Sequence, residues 1–440
     1  MSGRTSTIGS DAVRTISFTL AGNVISFITG VVVAKTLGPA GKGALSGVQL
    51  LMNGLGSITS GAGAAITYML TKRGQKMSDL IGTFSALLVC ASMLLWLSLF
   101  IWGLFRGFTV AVYVVFAVVP AAVVLSWQGF FYIGLARVRN LNYQSLLLTL
   151  GTLVSIIVFV VVLHLGIPGA LAGWALSFCI AATVVVVQAI QTAGRLPRLD
   201  FGQNFRDVVK FGSVSSFGSI LAFLNLRVDS LILGAFLGVA GFGIYSVAVA
   251  AGEMLYLVSR ALSTAISHDV GTLDVKTAGA ITAKASRSSN LILGLLAIPL
   301  MIVGPKLITM IYGARFEPAG NALRILLPGI IVYSSGGPLS SFFVYQLGRP
   351  MVVTMFGIAT IVIEAVLCTV LVPKLGLIGA ALGSTTTYCC AAVLRTWFFS
   401  RTAHIPAAQM WVPQASDIAT LKRFWREYFP LLSQGITKKT

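Results

Sequence analysis

Residues 37–46 read "LGPAGKGALS" and residues 237–246 read "LGVAGFGIYS". Six of the ten positions are identical at a constant offset of 200 residues, and three of the six are glycines. Glycine-rich stretches are common in membrane proteins, so one match of this kind carries little weight alone. It indicates an internal repeat only if further matches follow in the same order.

Two further matches follow in that order. Residues 165–173, "LGIPGALAG", are similar to residues 375–383, "LGLIGAALG", at an offset of 210. Arg137 matches Arg349 at an offset of 212, and each lies two residues after a leucine. Three matches in one order at nearly one offset predict two homologous halves.

The composition is typical of a membrane protein. The mean hydropathy is +0.91, and 56% of the residues are hydrophobic while only 10% are charged, unlike a soluble globular chain. Apolar runs of about 20 residues recur, and each is long enough to cross a bilayer as a helix. We expect an all-α polytopic membrane protein with twelve transmembrane helices, at 12–36, 43–71, 79–104, 108–135, 142–164, 168–193, 211–236, 242–268, 288–312, 319–346, 350–372 and 376–400.

The twelve expected helices divide evenly between the two halves. A six-helix lobe with a linker would occupy residues 1–200, a second six-helix lobe 201–400, and a tail 401–440. Because six is an even number, both lobes would enter the membrane from the same side. The repeat axis would then run along the membrane normal, with a cavity between two pseudo-symmetric lobes. This architecture is typical of transporters.

Membrane topology explains most of the formal net charge of +19. With the amino terminus in the cytoplasm, most of the 31 Lys and Arg residues fall in cytoplasmic segments, among them Arg287, Arg395 and Arg401. This asymmetry follows the positive-inside rule and predicts a multi-pass protein of the plasma (inner) membrane with both termini cytoplasmic. We therefore expect no nucleic acid partner. The outer segments would hold Lys35, Lys42, Arg106, Lys306, Arg315 and Lys374.

The sequence contains no pattern typical of a metal or catalytic site. The five cysteines lie within expected spans, the three histidines are scattered, and no phosphate-loop or dinucleotide motif is present. We expect no metal site and no catalytic residue. The charged residues inside the expected spans then remain as candidates for function.

Two stretches carry a resemblance to a known family. "AKTLGPAGKG" follows the first span, and "RVDSLILGAFLGVAGFGIYSVAVAAGEMLY" covers the seventh and eighth. Together with twelve spans in two lobes, they resemble the polysaccharide and oligosaccharidyl-lipid flippases, the Wzx-like branch of the superfamily that includes MATE drug exporters and lipid II flippases. The resemblance implies a MATE-like, V-shaped transporter that moves undecaprenyl-diphosphate-linked oligosaccharide repeat units outward by alternating access. It implies coupling to H⁺ or Na⁺ and no other cofactor.

Span seven contains Arg227 and Asp229, and span eight contains Glu253 and Arg260. A Lys, Arg or Asp at the centre of a span costs about 2.5–3.5 kcal/mol, so several such residues need a reason. Residues two apart on a helix differ by about 200° in direction, so Arg227 and Asp229 cannot pair along their helix. One interpretation is an interhelical ion pair between spans seven and eight. The other, favoured by the resemblance, is that the arginines attract a diphosphate while the acids tune them or bind a coupling cation.

Four further charged residues complete the candidate binding site. Glu364 lies in the middle of span eleven, where a buried neutral acid or a partner for the other lobe is expected rather than a substrate contact. Arg324 lies near the outer surface, where snorkelling explains a charge. Arg137 and Arg349 occupy matched inner ends and are expected to anchor the topology, with a diphosphate contact at the cavity mouth as the alternative.

The tail contains "LKRFWREYF" at residues 421–429. Its apolar residues recur with helical spacing, and its basic residues lie on the other face. This pattern predicts an amphipathic helix on the anionic inner leaflet. Anchoring is the expected role, and partner binding is the alternative.

Three other functions compete with a lipid-linked oligosaccharide flippase. A MATE-type cation or drug antiporter would have acids and aromatic residues in its cavity, whereas here arginines match the acids in number. A membrane-embedded polysaccharide-assembly enzyme would need a large outer loop, and the expected outer loops have only a few residues, so we do not expect an enzyme. A non-transporting scaffold is the remaining alternative. The expected partners are lipid-linked oligosaccharide, membrane lipids, and the polysaccharide polymerase and chain-length machinery.

Overall fold

The structure, a computed structural model, describes residues 2–107, 110–194, 196–414 and 417, which are mostly helical and contain no strand. The segment 421–429 lies outside the described residues. Short π-helical turns extend α4 over Ile157–Val162 and α10 over Phe342–Gln346, and a 3₁₀ turn, Ala314–Phe316, precedes α9. The helices are α1 (Ser2–Thr71), α2 (Met77–Arg106), α3 (Val110–Gly134), α4 (Val138–Ile156), α5 (Gly166–Ala193), α6 (Gln203–Glu253), α7 (Tyr256–Thr272), α8 (Val275–Tyr312), α9 (Glu317–Tyr333), α10 (Gly336–Ser341), α11 (Pro350–Leu375), α12 (Leu377–Ala403) and α13 (Ala408–Trp411).

Among the described residues, ten helical segments are long and apolar enough to cross a membrane. Two of them, Ser17–Thr71 with 55 residues and Gln203–Thr272 with 70 residues, are each long enough for two crossings. Each of the other eight overlaps one expected span. Dividing the two long segments in two gives the expected number of twelve. The expected class, an all-α polytopic membrane protein, is confirmed.

A glycine breaks each long segment at the same position of the sequence repeat. Gly38 in α1 has φ 68° and ψ −165°, and Gly238 in α6 has φ 65° and ψ −169°. A positive φ is strained for residues with a side chain, which explains why both copies carry glycine here. The sequence repeat is therefore also a repeat of the backbone. Positive φ recurs at the other matched pairs, Ala136 with Gly348 and Gly166 with Gly376.

The chain forms two compact units. The core of the first unit includes the fully buried Trp127. The core of the second unit includes Phe342 and Phe399, whose ring centroids lie 4.9 Å apart. The first unit comprises Met1–Ser246 and Thr309–Phe316, and the second comprises Val247–Ile308 and Glu317–Thr440.

The two copies of the glycine-rich stretch contact each other within the first unit. A Cβ atom on Gly43 would overlap the carbonyl of Val239, and a Cβ on Gly243 would overlap the main chain at the matched position of the first copy. Beside them, Ser46 donates a hydrogen bond to Ser246 at 3.3 Å. Reciprocal contacts between matched residues are the mark of a two-fold axis. A local pseudo-two-fold axis therefore passes between these two stretches.

The beginning of the tail packs onto α8 in the second unit. Arg287 of α8 forms a bidentate ion pair with Asp417, in which Nη2 donates to Oδ1 at 2.8 Å and Nε donates to Oδ2. Its Nη1 donates to the carbonyl of Gln409 at 2.5 Å. Arg287 and Asp417 are 4% and 1% exposed, and the nearby Met410 is fully buried. We call Arg287, Asp417 and the Gln409 carbonyl the tail clasp. Arg287 therefore has a structural role besides its contribution to topology.

Candidate functional site

Asp229, in the first unit, is 4% exposed. Its Oδ2 accepts a hydrogen bond from the Tyr245 hydroxyl at 2.7 Å, and its Oδ1 accepts one from the main-chain N–H of Ser230 at 2.5 Å. Tyr245 is fully buried and lies beyond the kink at Gly238, at the start of span eight. Arg227 is half-buried. Asp229 therefore links span seven to span eight through Tyr245.

Three tyrosines and an arginine meet inside the second unit. The ring centroids of Tyr256 and Tyr333 lie 6.0 Å apart, and those of Tyr333 and Tyr388 lie 4.7 Å apart. The Arg395 guanidinium lies 4.7 Å from the Tyr333 ring centroid, and its Nη2 donates to the Tyr333 hydroxyl at 3.3 Å. Arg395 is 7% exposed, so it has a structural role in this packing besides its expected contribution to the membrane topology. We call these four residues the tyrosine cluster.

Two of the candidate acids lie near this cluster. Glu253 is the last residue of α6 and is half-buried, whereas Glu364 of α11 is 1% exposed. Both carboxyl groups lie within electrostatic range of the Tyr256 hydroxyl. Ionisable groups enclosed in a membrane-spanning bundle and surrounded by polar side chains can exchange a proton or bind a small cation. The structure therefore places Glu253 and Glu364 in one polar region of the second unit.

Two spans are interrupted beside the tyrosine cluster. α6 gives way to α7 directly after Glu253, and α9 gives way to α10 directly after Tyr333. Discontinuous helices free main-chain groups, which neighbouring hydroxyls can satisfy, and such breaks are frequent at transport sites. The carbonyls at the second break accept hydrogen bonds from Ser259 (to Ser334, 2.5 Å), Ser263 (to Gly337, 3.0 Å) and Ser286 (to Ser335, 3.3 Å).

The remaining intramembrane arginines are exposed. Arg260 projects from α7. Arg324 of α9 donates from Nε to the carbonyl of Met301 at 2.9 Å, which fastens it to α8. A hydrogen bond to a main-chain carbonyl and an exposed side chain agree with a structural role for Arg324 near the membrane surface.

Arg137 and Arg349 have matched backbone positions. Each precedes a helix, with φ −107° and ψ 49° at Arg137 before α4 and φ −116° and ψ 66° at Arg349 before α11. Both are exposed, and Arg137 donates from Nη1 to Thr192 at 2.9 Å. The two arginines thus mark equivalent helix starts in the two halves.

A family model described as polysaccharide biosynthesis protein matches residues 8–266, which is more than half of the chain. The chain belongs to the polysaccharide biosynthesis protein family. The match includes the two glycine kinks and all four candidate residues of spans seven and eight. No curated protein sequence matches this member of the family.

Solved structures show that this polysaccharide biosynthesis family protein has the fold of the MATE-containing MOP superfamily, as the resemblance implied. An inward-facing multidrug resistance MATE family transporter matches with a TM-score of 0.71 and 15% identity, covering 89% of this chain and 98% of that one. The lipid II flippase MurJ, inward closed, matches at 0.67 and 14%, covering 90% and 89%. A MOP superfamily transporter from Pyrococcus furiosus, reported with reverse polarity of its binding pocket, matches at 0.55 and 15%, covering 91% and 94%. These neighbours are transporters or a flippase, not enzymes.

The sequence did not predict the tyrosine that binds Asp229 or the tyrosine cluster of this family member. Tyr245 stands in the repeated stretch, where its match in the first half is Leu45, so the difference between the copies was an available signal. Tyr256 follows Glu253 by three residues, which places both on one helix face in an unbroken helix. The residues Tyr333, Tyr388 and Arg395 come from distant parts of the sequence, and only the packing of α9 against α12 brings them together.

Proposed function

We propose that this protein flips oligosaccharide repeat units, linked to undecaprenyl diphosphate, from the inner to the outer leaflet for polysaccharide biosynthesis. The family match over residues 8–266 is the observation that carries the proposal. The fold shared with the lipid II flippase MurJ supports it, because that fold can move a lipid-linked molecule across a membrane. Alternating access of two six-helix lobes, 1–200 and 201–400, is the mechanism we favour.

In this proposal the arginines of spans seven and eight attract the diphosphate. A guanidinium stays charged when desolvated and binds phosphate oxygens in pairs, so Arg227 and Arg260 suit an anionic headgroup. Asp229 would hold span seven against span eight through Tyr245 and thereby fix the direction of the neighbouring Arg227. Arg137 and Arg349 would anchor the topology, and a contact with the diphosphate is the alternative role for each.

Coupling to an ion gradient belongs to the second unit in this proposal. Glu253 and Glu364 lie within electrostatic range of Tyr256, and an acid among buried hydroxyls can take up H⁺ or Na⁺ as the lobes move. We propose further that the protein lies in the plasma (inner) membrane with both termini in the cytoplasm. There its product would pass to the polymerase and chain-length machinery.

A MATE-type cation antiporter is the second candidate. The tyrosine cluster favours it, because aromatic rings and carboxyl groups together are suited to organic cations. The buried Arg395 opposes it, since its charge lies against the Tyr333 ring, where a cationic substrate would otherwise bind.

A deletion strain distinguishes the two candidates. Loss of the flippase should cause undecaprenyl-linked oligosaccharide to accumulate on the inner leaflet, and the wild-type chain should reverse this. Arg227→Ala and Asp229→Asn should fail to reverse it at normal protein levels, whereas Lys374→Ala, which removes an exposed cation from the end of α11, should succeed. Full export by both site variants would show that the site is wrongly assigned. Normal lipid levels together with lost efflux of organic cations would replace the flippase with the antiporter.

A further inference from the structure

A groove of about 540 Å³ runs along α12 in the second unit. The α12 residues that line it recur at the spacing of one helix face. The segment after α12 contributes Trp411 of α13 to the lining. The residues that define the groove are Cys389, Val393, Thr396, Trp397, Arg401 and Trp411.

The chemistry of the groove changes in order along its length. Arg401 lies in the last turn of α12, and Cys389 lies twelve residues earlier, which is roughly 18 Å of helix. Trp397 stands one turn from Arg401, and the guanidinium carbon lies 5.8 Å from the centroid of the Trp397 ring. Beyond Trp397 the lining is apolar except for Thr396, and Val393 is 66% exposed. A cation, then tryptophan, then apolar side chains is the order in which a phospholipid presents its phosphate, its ester region and its acyl chain.

Thr396 adds an independent sign of a ligand. It lines the groove and is 6% exposed, and its hydroxyl has no hydrogen-bond partner among the described residues. Buried hydroxyls normally have a partner, and leaving one without a partner is costly. Thr396 lies five residues before Arg401, roughly 8 Å deeper along the helix. An ester oxygen of a phospholipid lies only a few bonds from its phosphate, and the long side chain of Arg401 can reach along the groove, so one lipid can contact both residues.

The wall of the groove that Trp411 forms is held in place. Trp411 belongs to the segment that the tail clasp fixes, because Arg287 bonds both Asp417 and the Gln409 carbonyl. Met410, next to Trp411, is fully buried in the core of the second unit. A preformed wall reduces the conformational entropy that a ligand must remove on binding.

We propose that this groove binds one inner-leaflet phospholipid with an anionic headgroup. Arg401 holds the phosphate, Trp397 and Trp411 flank the ester region, Thr396 donates to an ester oxygen, and one acyl chain follows Val393 and Cys389. The chain's own segment 421–429 is a poor occupant, because it carries three basic residues and one acid and would bring like charge to Arg401.

A photoreactive benzophenone amino acid in place of Val393 tests the proposal. The full chain is reconstituted in vesicles of equal parts phosphatidylglycerol and phosphatidylethanolamine, irradiated, and analysed for adducts by mass spectrometry. The same amino acid in place of Val366, which is 58% exposed on α11 outside the groove, is the matched control. One Lys or Arg near a membrane surface contributes about 1 kcal/mol of binding free energy for an anionic lipid, which corresponds to about a fivefold preference. We therefore expect the ratio of phosphatidylglycerol to phosphatidylethanolamine adducts to be about fivefold higher at position 393 than at position 366.

Variants of Arg401 complete the test. Arg401→Ala should remove the enrichment, and Arg401→Lys should keep most of it, while unchanged adducts at position 366 show that each variant is folded. An equal ratio of phosphatidylglycerol to phosphatidylethanolamine adducts at positions 393 and 366 would overturn the proposal. In native membranes, adducts at position 393 with residues 418–440 or with a polyprenyl diphosphate would overturn it too, because another occupant would then fill the groove.

Discussion

Replacing Asp417 with asparagine removes one charge from the tail clasp and should release the tail segment. Both partners are almost fully buried, with side-chain exposures of 4% for Arg287 and 0% for Asp417. Breaking a buried ion pair from one side costs about 3–5 kcal/mol, because the other charge stays buried without compensation. The equilibrium constant for local opening should therefore rise about 10²–10⁴-fold.

Thiol labelling measures that opening. Met410→Cys places a thiol at a fully buried position, and its modification rate, followed by peptide mass, reports how often the segment opens. Asp417→Asn should raise this rate by at least 10²-fold. The double change Arg287→Met with Asp417→Leu should return it to within tenfold of the wild type, because no charge is then left buried.

An exposed ion pair provides the control. Arg73 and Asp207 lie 2.5 Å apart in the first unit, with side-chain exposures of 46% and 25%. Exposed pairs contribute about 0–1 kcal/mol, so Asp207→Asn should have little effect on stability and none on labelling at position 410. A rise of less than tenfold for Asp417→Asn would refute the account of the clasp, because it would mean that the pair contributes no more than an exposed one.

Three further outcomes are expected. Gly43→Ala should lower the free energy of unfolding of the purified protein by about 1–3 kcal/mol, because the added Cβ overlaps the main chain. Gly218→Ala, where a Cβ meets nothing within 4 Å, should raise it by up to about 1 kcal/mol. Equal effects of the two changes would contradict the close contact at Gly43. Tyr245→Phe should lower the free energy of unfolding by about 1.5–3 kcal/mol, because it removes a donor to the buried Asp229 carboxylate. In a protein that already carries Asp229→Asn, the same change should cost clearly less. Equal costs with and without Asp229→Asn would show that the hydrogen bond between Tyr245 and Asp229 is unimportant. Although burial alone would raise the pKa of Asp417, hydrogen bonds from Arg287 and the Gln414 N–H hold this pKa below the ordinary value of 3.8. The clasp should therefore remain closed above about pH 4 and open as the pH falls through the lowered pKa. Hydrogen exchange of the tail segment that already accelerates near pH 6 would contradict this.

The internal repeat could be predicted from the sequence. Gly38 and Gly238 belong to its matched stretches between expected spans, and the structure adds that both adopt a positive φ, which glycine tolerates and other residues avoid. Apolar length identified the spans for a similarly simple reason, since a bilayer fixes how many residues a crossing needs. These features depend on local chemistry, which one sequence contains.

The partners of the charged residues could not be predicted in this way. Arg395 and Arg401 are six residues apart and were counted together as cytoplasmic charges, yet the first lies against Tyr333 and the second is exposed. Six residues turn a helix by about 240°, so the two side chains face different surroundings. Which surroundings each meets depends on the packing of α9 against α12, and that information is spread over distant segments. The same limit concealed the tail clasp.

Direct translocation in purified vesicles tests the central claim. The protein is reconstituted with a fluorescent undecaprenyl-diphosphate oligosaccharide, and a membrane-impermeant quencher reports the fraction that has crossed, with H⁺ or Na⁺ gradients imposed in turn. The account predicts protein-dependent crossing that one of the gradients accelerates and that Arg227→Ala slows at least tenfold. Crossing no faster than in protein-free vesicles, with both gradients and a correctly inserted protein, would contradict it.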